Sequence, residues 1–156
     1  MNRPPPALGF RTTAYVVWGS LLLGVLAFTV VAAFVGPGMR SRGAPAPDAL
    51  AHVALAVAVG GVLASRLVPP RLRRPAGRDP DAFAMSRNIV AAALCEGPAL
   101  FGLVAWMVTG GATALVAIAI ALAGLVSCFP GDARWRWLTS DAEARPGAGG
   151  PPRMVR

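Results

Sequence analysis

Glu96 is the one residue of this chain whose type and placement suggest chemistry. It stands in the run AALCEGPALFGLVAWMVTG, an apolar stretch with no other charged side chain. A carboxyl group in the middle of a membrane is costly, and such acids usually face a bundle interior, a water cavity or an ion path. Gly97 and Pro98 follow it directly. A proline inside a helix removes one backbone hydrogen bond and frees the carbonyl four residues earlier, here that of Leu94. Glu96, Pro98 and the Leu94 carbonyl are therefore the candidate ion-binding group: a carboxyl and an unpaired carbonyl at one level, where a proton, a cation or water could sit. The competing reading makes Glu96 a neutral acid, hydrogen-bonded to a neighbouring helix and serving packing alone.

The elements that would hold Glu96 are legible in composition. Of 156 residues, 55% are hydrophobic and 14% charged, against about 25% charged in an ordinary soluble domain. The apolar residues fall into four blocks, about 14–35, 49–68, 89–108 and 112–129, separated by connectors rich in proline and glycine. Each approaches the roughly 20 residues that cross a hydrocarbon core. Nothing alternates as barrel strands do, and lipid leaves a helix as the alternative. The fold class expected is all-α: a polytopic integral membrane protein, four transmembrane helices in a compact bundle. The first block is longer than a signal-peptide core and reads as a retained helix.

All fifteen basic residues are arginine. Four spans would put thirteen of them on the side of the two termini and the central connector, leaving only Arg40 and Arg42 opposite. Basic residues mark the cytoplasmic side, so both termini are expected in the cytoplasm, the membrane being a bacterial inner membrane. The arginines read as a topology signal, with attraction to anionic headgroups as an addition; nucleic acid is not an expected partner. Trp18, Trp135 and Trp137 would anchor the inner interface and Trp106 the outer. The connector from about Pro69 to Ser86, with PPRLRRPAGRDPDAF, reads as a surface loop. Ala44-Pro45-Ala46-Pro47 reads as a short outer connector, Gly110-Gly111 as a tight hairpin. The segment 131–156 reads as a cytoplasmic tail, disordered after about 142.

Membrane helices associate through small residues that let backbones approach. Four-residue spacing selects Ala56, Gly60 and Ala64 on the second helix, Ala93 and Gly97 on the third, and Ala119, Ala123 and Ser127 on the fourth. Cys95 and Cys128 are expected about 9 Å apart in depth at 1.5 Å rise per residue, too far for a disulfide. His52 has no second histidine to share a metal, and no cofactor is expected. No nucleophile–base set or phosphate-cradling loop is present, so an enzyme is the class least expected.

The segment Ala93-Leu94-Cys95-Glu96-Gly97-Pro98-Ala99-Leu100-Phe101 resembles the carboxyl-bearing helix of the rotary ATP synthase c subunit, where an Ala-Leu-x-Glu-Gly-x-Ala pattern surrounds the ion-carrying acid. The resemblance covers about twenty residues. It implies Glu96 as the carrier, Arg87 in the cytoplasmic approach, and a proton- or cation-handling protein. The chain departs from that family in its second helix, which has only Gly60-Gly61 in place of a repeated Gly-x-Gly motif, and in its long arginine-rich connector. As a whole it is similar to small four-helix bacterial membrane proteins. The reading it supports first is a structural or accessory subunit of a membrane assembly with a buried, neutral Glu96. Its expected partners are the lipid bilayer and other membrane subunits or copies of itself.

Overall fold

The structure is a computed structural model that describes residues 8–40, 48–75 and 77–144. The connector around Ala46 and the tail beyond Ala144 lie outside the described residues. Among the described residues five helices follow one another: α1 (Leu8–Arg40), α2 (Ala49–Arg71), α3 (Pro80–Thr109), α4 (Ala112–Ser127) and α5 (Asp132–Ala144). No strand occurs among the described residues. Helices α1, α2 and α3 are each long and apolar enough to cross a membrane; α4 and α5 form a pair bent by 73°. Sixteen residues of α4 rise only about 24 Å.

Helix α3 is the central post, packed against α1, α2, α4 and α5. Its start is earlier than the apolar pattern suggests. Asp79 caps it by accepting hydrogen bonds from the Asp81 and Ala82 amides, and Pro80 takes the first helical position, where its missing N–H costs nothing. The stretch 80–86 is consequently helix and not surface loop, and α2 likewise runs through Pro69 and Pro70 to Arg71. Gly110 ends α3 in the left-handed region (φ 66°), its amide donating to the Trp106 carbonyl at 2.8 Å. That geometry suits glycine and turns the chain into α4.

The interior is built from small side chains. Ala51, Ala54, Ala58, Gly61 and Ser65 of α2 line it; Ala91, Cys95, Ala99 and Gly102 of α3 and Ala114, Ala117, Ala121, Gly124 and Cys128 of α4 meet them. Large apolar groups such as Leu23, Phe34, Leu63, Val116 and Val126 point outward. This distribution suits helices surrounded by lipid, where close approach and not hydrophobicity drives association.

The packing stripes expected from four-residue spacing lie elsewhere. Ala56, Gly60, Ala93, Gly97, Ala119 and Ala123 are exposed, Ala64 is half-buried, and a Cβ placed on Gly60 or Gly97 would meet nothing within 4 Å. Each stripe is two residues out of phase with the true contact face, which is about 200° around a helix of 3.6 residues per turn. By contrast, a Cβ on Gly61 would stand 2.5 Å from both the Leu94 carbonyl oxygen and Pro98 Cγ, one on Gly124 2.6 Å from Val62 Cγ2, and one on Gly102 3.0 Å from Ile118 Cγ1.

A second, smaller core joins Ala14, Ala84, Trp135 and Leu138 at the end of the bundle where α5 folds back. Trp135 is buried there, its indole donating to Asp81 at 3.3 Å, so it is a packing residue and not an interfacial anchor. Trp18 donates to the Leu125 carbonyl at 2.9 Å and meets the Phe129 ring edge-on. Arg11 bonds Tyr15 and pairs with Asp132, tying α1 to the first turn of α5.

Candidate functional site

Glu96 lies half-buried on α3. Its carboxylate faces α1 at Gly24, where a Cβ would come within 3.7 Å of Oε1. A methyl group at position 24 would make ordinary van der Waals contact with the carboxylate, so glycine there leaves it a little more room. Among the described residues no hydrogen bond or ion pair reaches this carboxylate. Ala93 and Gly97, which flank Glu96 on α3, are both exposed. The carboxyl thus sits in a shallow groove beside α1, bordered by a strip of small residues on the outside of the bundle.

The three members of the expected ion-binding group are not brought together. Leu94 and Pro98 turn toward Gly61 of α2, whereas Glu96, two residues from each, turns toward α1. Two residues carry a helix about 200° around, so the carbonyl freed by Pro98 and the carboxylate look in opposite directions. The Cα of Gly61 is pressed toward that carbonyl, as helix–helix contacts of the Cα–H···O kind require. The carbonyl freed by Pro98 therefore serves the contact of α3 with α2.

A second polar region, which sequence reasoning left to topology, occupies the end of the bundle at the α2 and α4 carboxyl termini. Arg87 and Asn88 are both 1% exposed. Arg87 Nε donates to the Pro69 carbonyl at 2.5 Å, and its guanidinium lies 5.5 Å from the Phe83 ring centroid. It thereby adds a charged donor to a carbonyl at the end of α2 that also accepts from the Leu72 amide at 3.2 Å. Asn88 Oδ1 accepts from Arg134 Nε at 2.8 Å; Arg134 Nη1 donates to the Ser127 carbonyl at 3.1 Å, and Arg66 donates to Ser127 Oγ at 2.7 Å. Four helices meet in this network. Arg87 is accordingly a structural residue of the interior, not part of a solvated approach to Glu96.

Cys95 and Cys128 are both fully buried, and their thiols are neighbours in the α3–α4 interface. The expected separation in depth does not hold, because α3 and α4 form an antiparallel hairpin about Gly110–Gly111. Fifteen residues separate Cys95 from Gly110 and seventeen separate Cys128 from Gly111, a mismatch of about 3 Å at 1.5 Å per residue. His52 is exposed, its Nδ1 2.8 Å from the Asp48 carbonyl, and no group of three His, Cys, Asp or Glu side chains converges among the described residues.

No protein-family model, curated protein or solved structure matches this chain.

Proposed function

We propose that this protein is a structural or accessory subunit of a bacterial inner-membrane assembly. In this reading it spans the membrane four times, with both termini in the cytoplasm, and Glu96 is held neutral against a neighbouring membrane helix. One observation carries the reading: a carboxyl at mid-helix that is half-open, without a hydrogen-bond or ion-pair partner among the described residues, beside the exposed Ala93 and Gly97. An acid left facing hydrocarbon is costly, and small residues next to it let another helix come close enough to cover it. The arginine asymmetry supports the orientation, and the 73° turn after α4 suits a helix that leaves the membrane and lies along its cytoplasmic surface.

A second reading, a proton- or cation-handling protein like the rotary c subunit, draws on the space beside Gly24, which leaves the Glu96 carboxylate open to water or an ion. Photo-crosslinking residues at Ala93 and Gly97 in native membranes separate the two. A subunit gives a protein adduct of defined mass that survives Glu96→Gln and weakens with Glu96→Leu. Adducts with lipid alone sink the subunit reading. Labelling of Glu96 by a hydrophobic carbodiimide, together with loss of a cellular phenotype in Glu96→Gln despite normal folding, would favour ion handling.

A further inference from the structure

A cavity of about 460 Å³ opens at the arginine-rich end of the bundle, lined by Ser65, Arg66, Pro69, Ser127, Arg134 and Trp137. Two guanidinium groups on different helices border it, and neither forms an ion pair among the described residues. No acidic side chain lines the cavity. Among the acids whose side chains are described, Asp132 pairs with Arg11, Asp81 accepts from Trp135, and Asp79 caps α3.

Both arginines are anchored by hydrogen bonds to neighbouring helices. Ser127 Oγ takes one Nη of Arg66, while Asn88 and the Ser127 carbonyl take Nε and Nη1 of Arg134. The remaining guanidinium nitrogens have no partner among the described residues. Two fixed cations beside an open cavity repel one another until an anion lies between them. Guanidinium forks match the oxygens of a phosphate two at a time. The volume lies within the roughly 300–1,000 Å³ of small-molecule pockets and exceeds what a bare phosphate needs. Position agrees as well. Arg66 follows the start of α2 by seventeen residues, about 25 Å along the helix, a span close to the hydrocarbon thickness of about 30 Å. The half-exposed Trp137 adds an indole of the kind found at headgroup level.

We infer that this cavity binds a phosphate-bearing anion, gripped between Arg66 and Arg134. A phospholipid headgroup and a free phosphate share that chemistry. The site is independent of Glu96 and of the proposed subunit role.

The test uses the full chain purified in a non-ionic detergent. Native mass spectrometry follows the binding of short-chain phosphatidylglycerol, with short-chain phosphatidylcholine as the zwitterionic control and inorganic phosphate as competitor. Phosphatidylglycerol should bind at least tenfold more tightly than phosphatidylcholine. That preference should fall at least tenfold in Arg66→Gln/Arg134→Gln and persist in Arg136→Gln, which removes an exposed charge outside the cavity. Competition by inorganic phosphate would show that the phosphate group alone suffices; lipid binding without such competition would assign the site to the headgroup. Because Arg66 is exposed, Arg66→Gln alone keeps the fold and should lower the preference at least fivefold. Equal binding of the two lipids without phosphate binding, or equal loss in Arg136→Gln, would overturn the assignment.

Discussion

Gly61 of α2 lies directly against Pro98 of α3, so close that a methyl group at position 61 would stand 2.5 Å from the proline ring and from the Leu94 carbonyl oxygen. Both obstacles are rigid, one a ring locked to its backbone and the other the backbone itself. The pair explains why proline is tolerated in the middle of a long helix. The carbonyl it leaves without a helical donor is covered by a residue that has no side chain to keep the helices apart.

Gly61→Ala should therefore separate α2 from α3 and destabilise the protein by about 1–3 kcal/mol or more, the range of overpacked cores. Gly60→Leu, one residue away on an exposed face, should stay within about 0.5 kcal/mol. Unfolding in mixed micelles, followed by tryptophan fluorescence, measures both. Equal effects would mean that α2 is rotated from the orientation described here.

The phase error at these positions shows where sequence reasoning reaches its limit. Alanine and glycine occur on both faces of α2, α3 and α4, so a four-residue spacing fits either face. What separates the faces is their larger neighbours. The Ala56–Gly60 face also carries Val53, Val57, Leu63 and Leu67, all exposed. The run Ala51, Ala54, Ala58, Gly61, Ser65 is small throughout, as is Ala114, Ala117, Ala121, Gly124, Cys128. An unbroken small-residue run at alternating three- and four-residue steps was the available signal. The all-helical class and the three membrane-length helices α1, α2 and α3 were legible because composition alone decides them; the fourth block folds as a helix of only 16 residues. Helix α5 was not, since its apolar residues Trp135 and Leu138 bury against Ala14 and Ala84, contacts that no local pattern announces. Glu96 was visible as an isolated acid, but which helix it faces depends on how α1 docks.

The contact between Cys95 and Cys128 makes a direct test of the α3–α4 register. Molecular oxygen with membrane-permeant copper phenanthroline as catalyst should join the two thiols within one chain, two electrons passing through copper to oxygen with loss of two protons. The product should migrate faster on a non-reducing gel, revert with reductant, and vanish in Cys95→Ala or Cys128→Ala. Failure to close the bridge, with both thiols shown to be free and reachable by the oxidant, would place the helices out of register by a turn or more.

Arg87 should behave as a core residue despite its charge. It is 1% exposed and donates to the Pro69 carbonyl at the end of α2. Arg87→Ala removes that bond and empties a buried site between α2 and α3, a loss of about 1.5–3 kcal/mol for a hydrogen bond involving a charged group, although the Pro69 carbonyl keeps the Leu72 amide. Arg73→Ala, in the exposed connector, should be neutral. Thermal denaturation in detergent distinguishes them. Equal tolerance of both substitutions would return Arg87 to the solvated surface.

The last prediction concerns the side on which α5 lies. Thirteen arginines against two argue that the α5 end faces the cytoplasm, and Ala133 and Arg136 are exposed on it. In a Cys95→Ala/Cys128→Ala background, a cysteine placed at 133 or 136 should react with a membrane-impermeant maleimide in inside-out vesicles and resist it in intact cells. A cysteine replacing Val116, on the outward face of α4, should resist in both, because lipid covers it. If α4 and α5 instead form one continuous bent span, the cysteines at 133 and 136 should be shielded from either side until detergent is added. Labelling of 133 from outside intact cells would reverse the orientation, and would place the arginine network of Arg66, Arg87 and Arg134 on the external face.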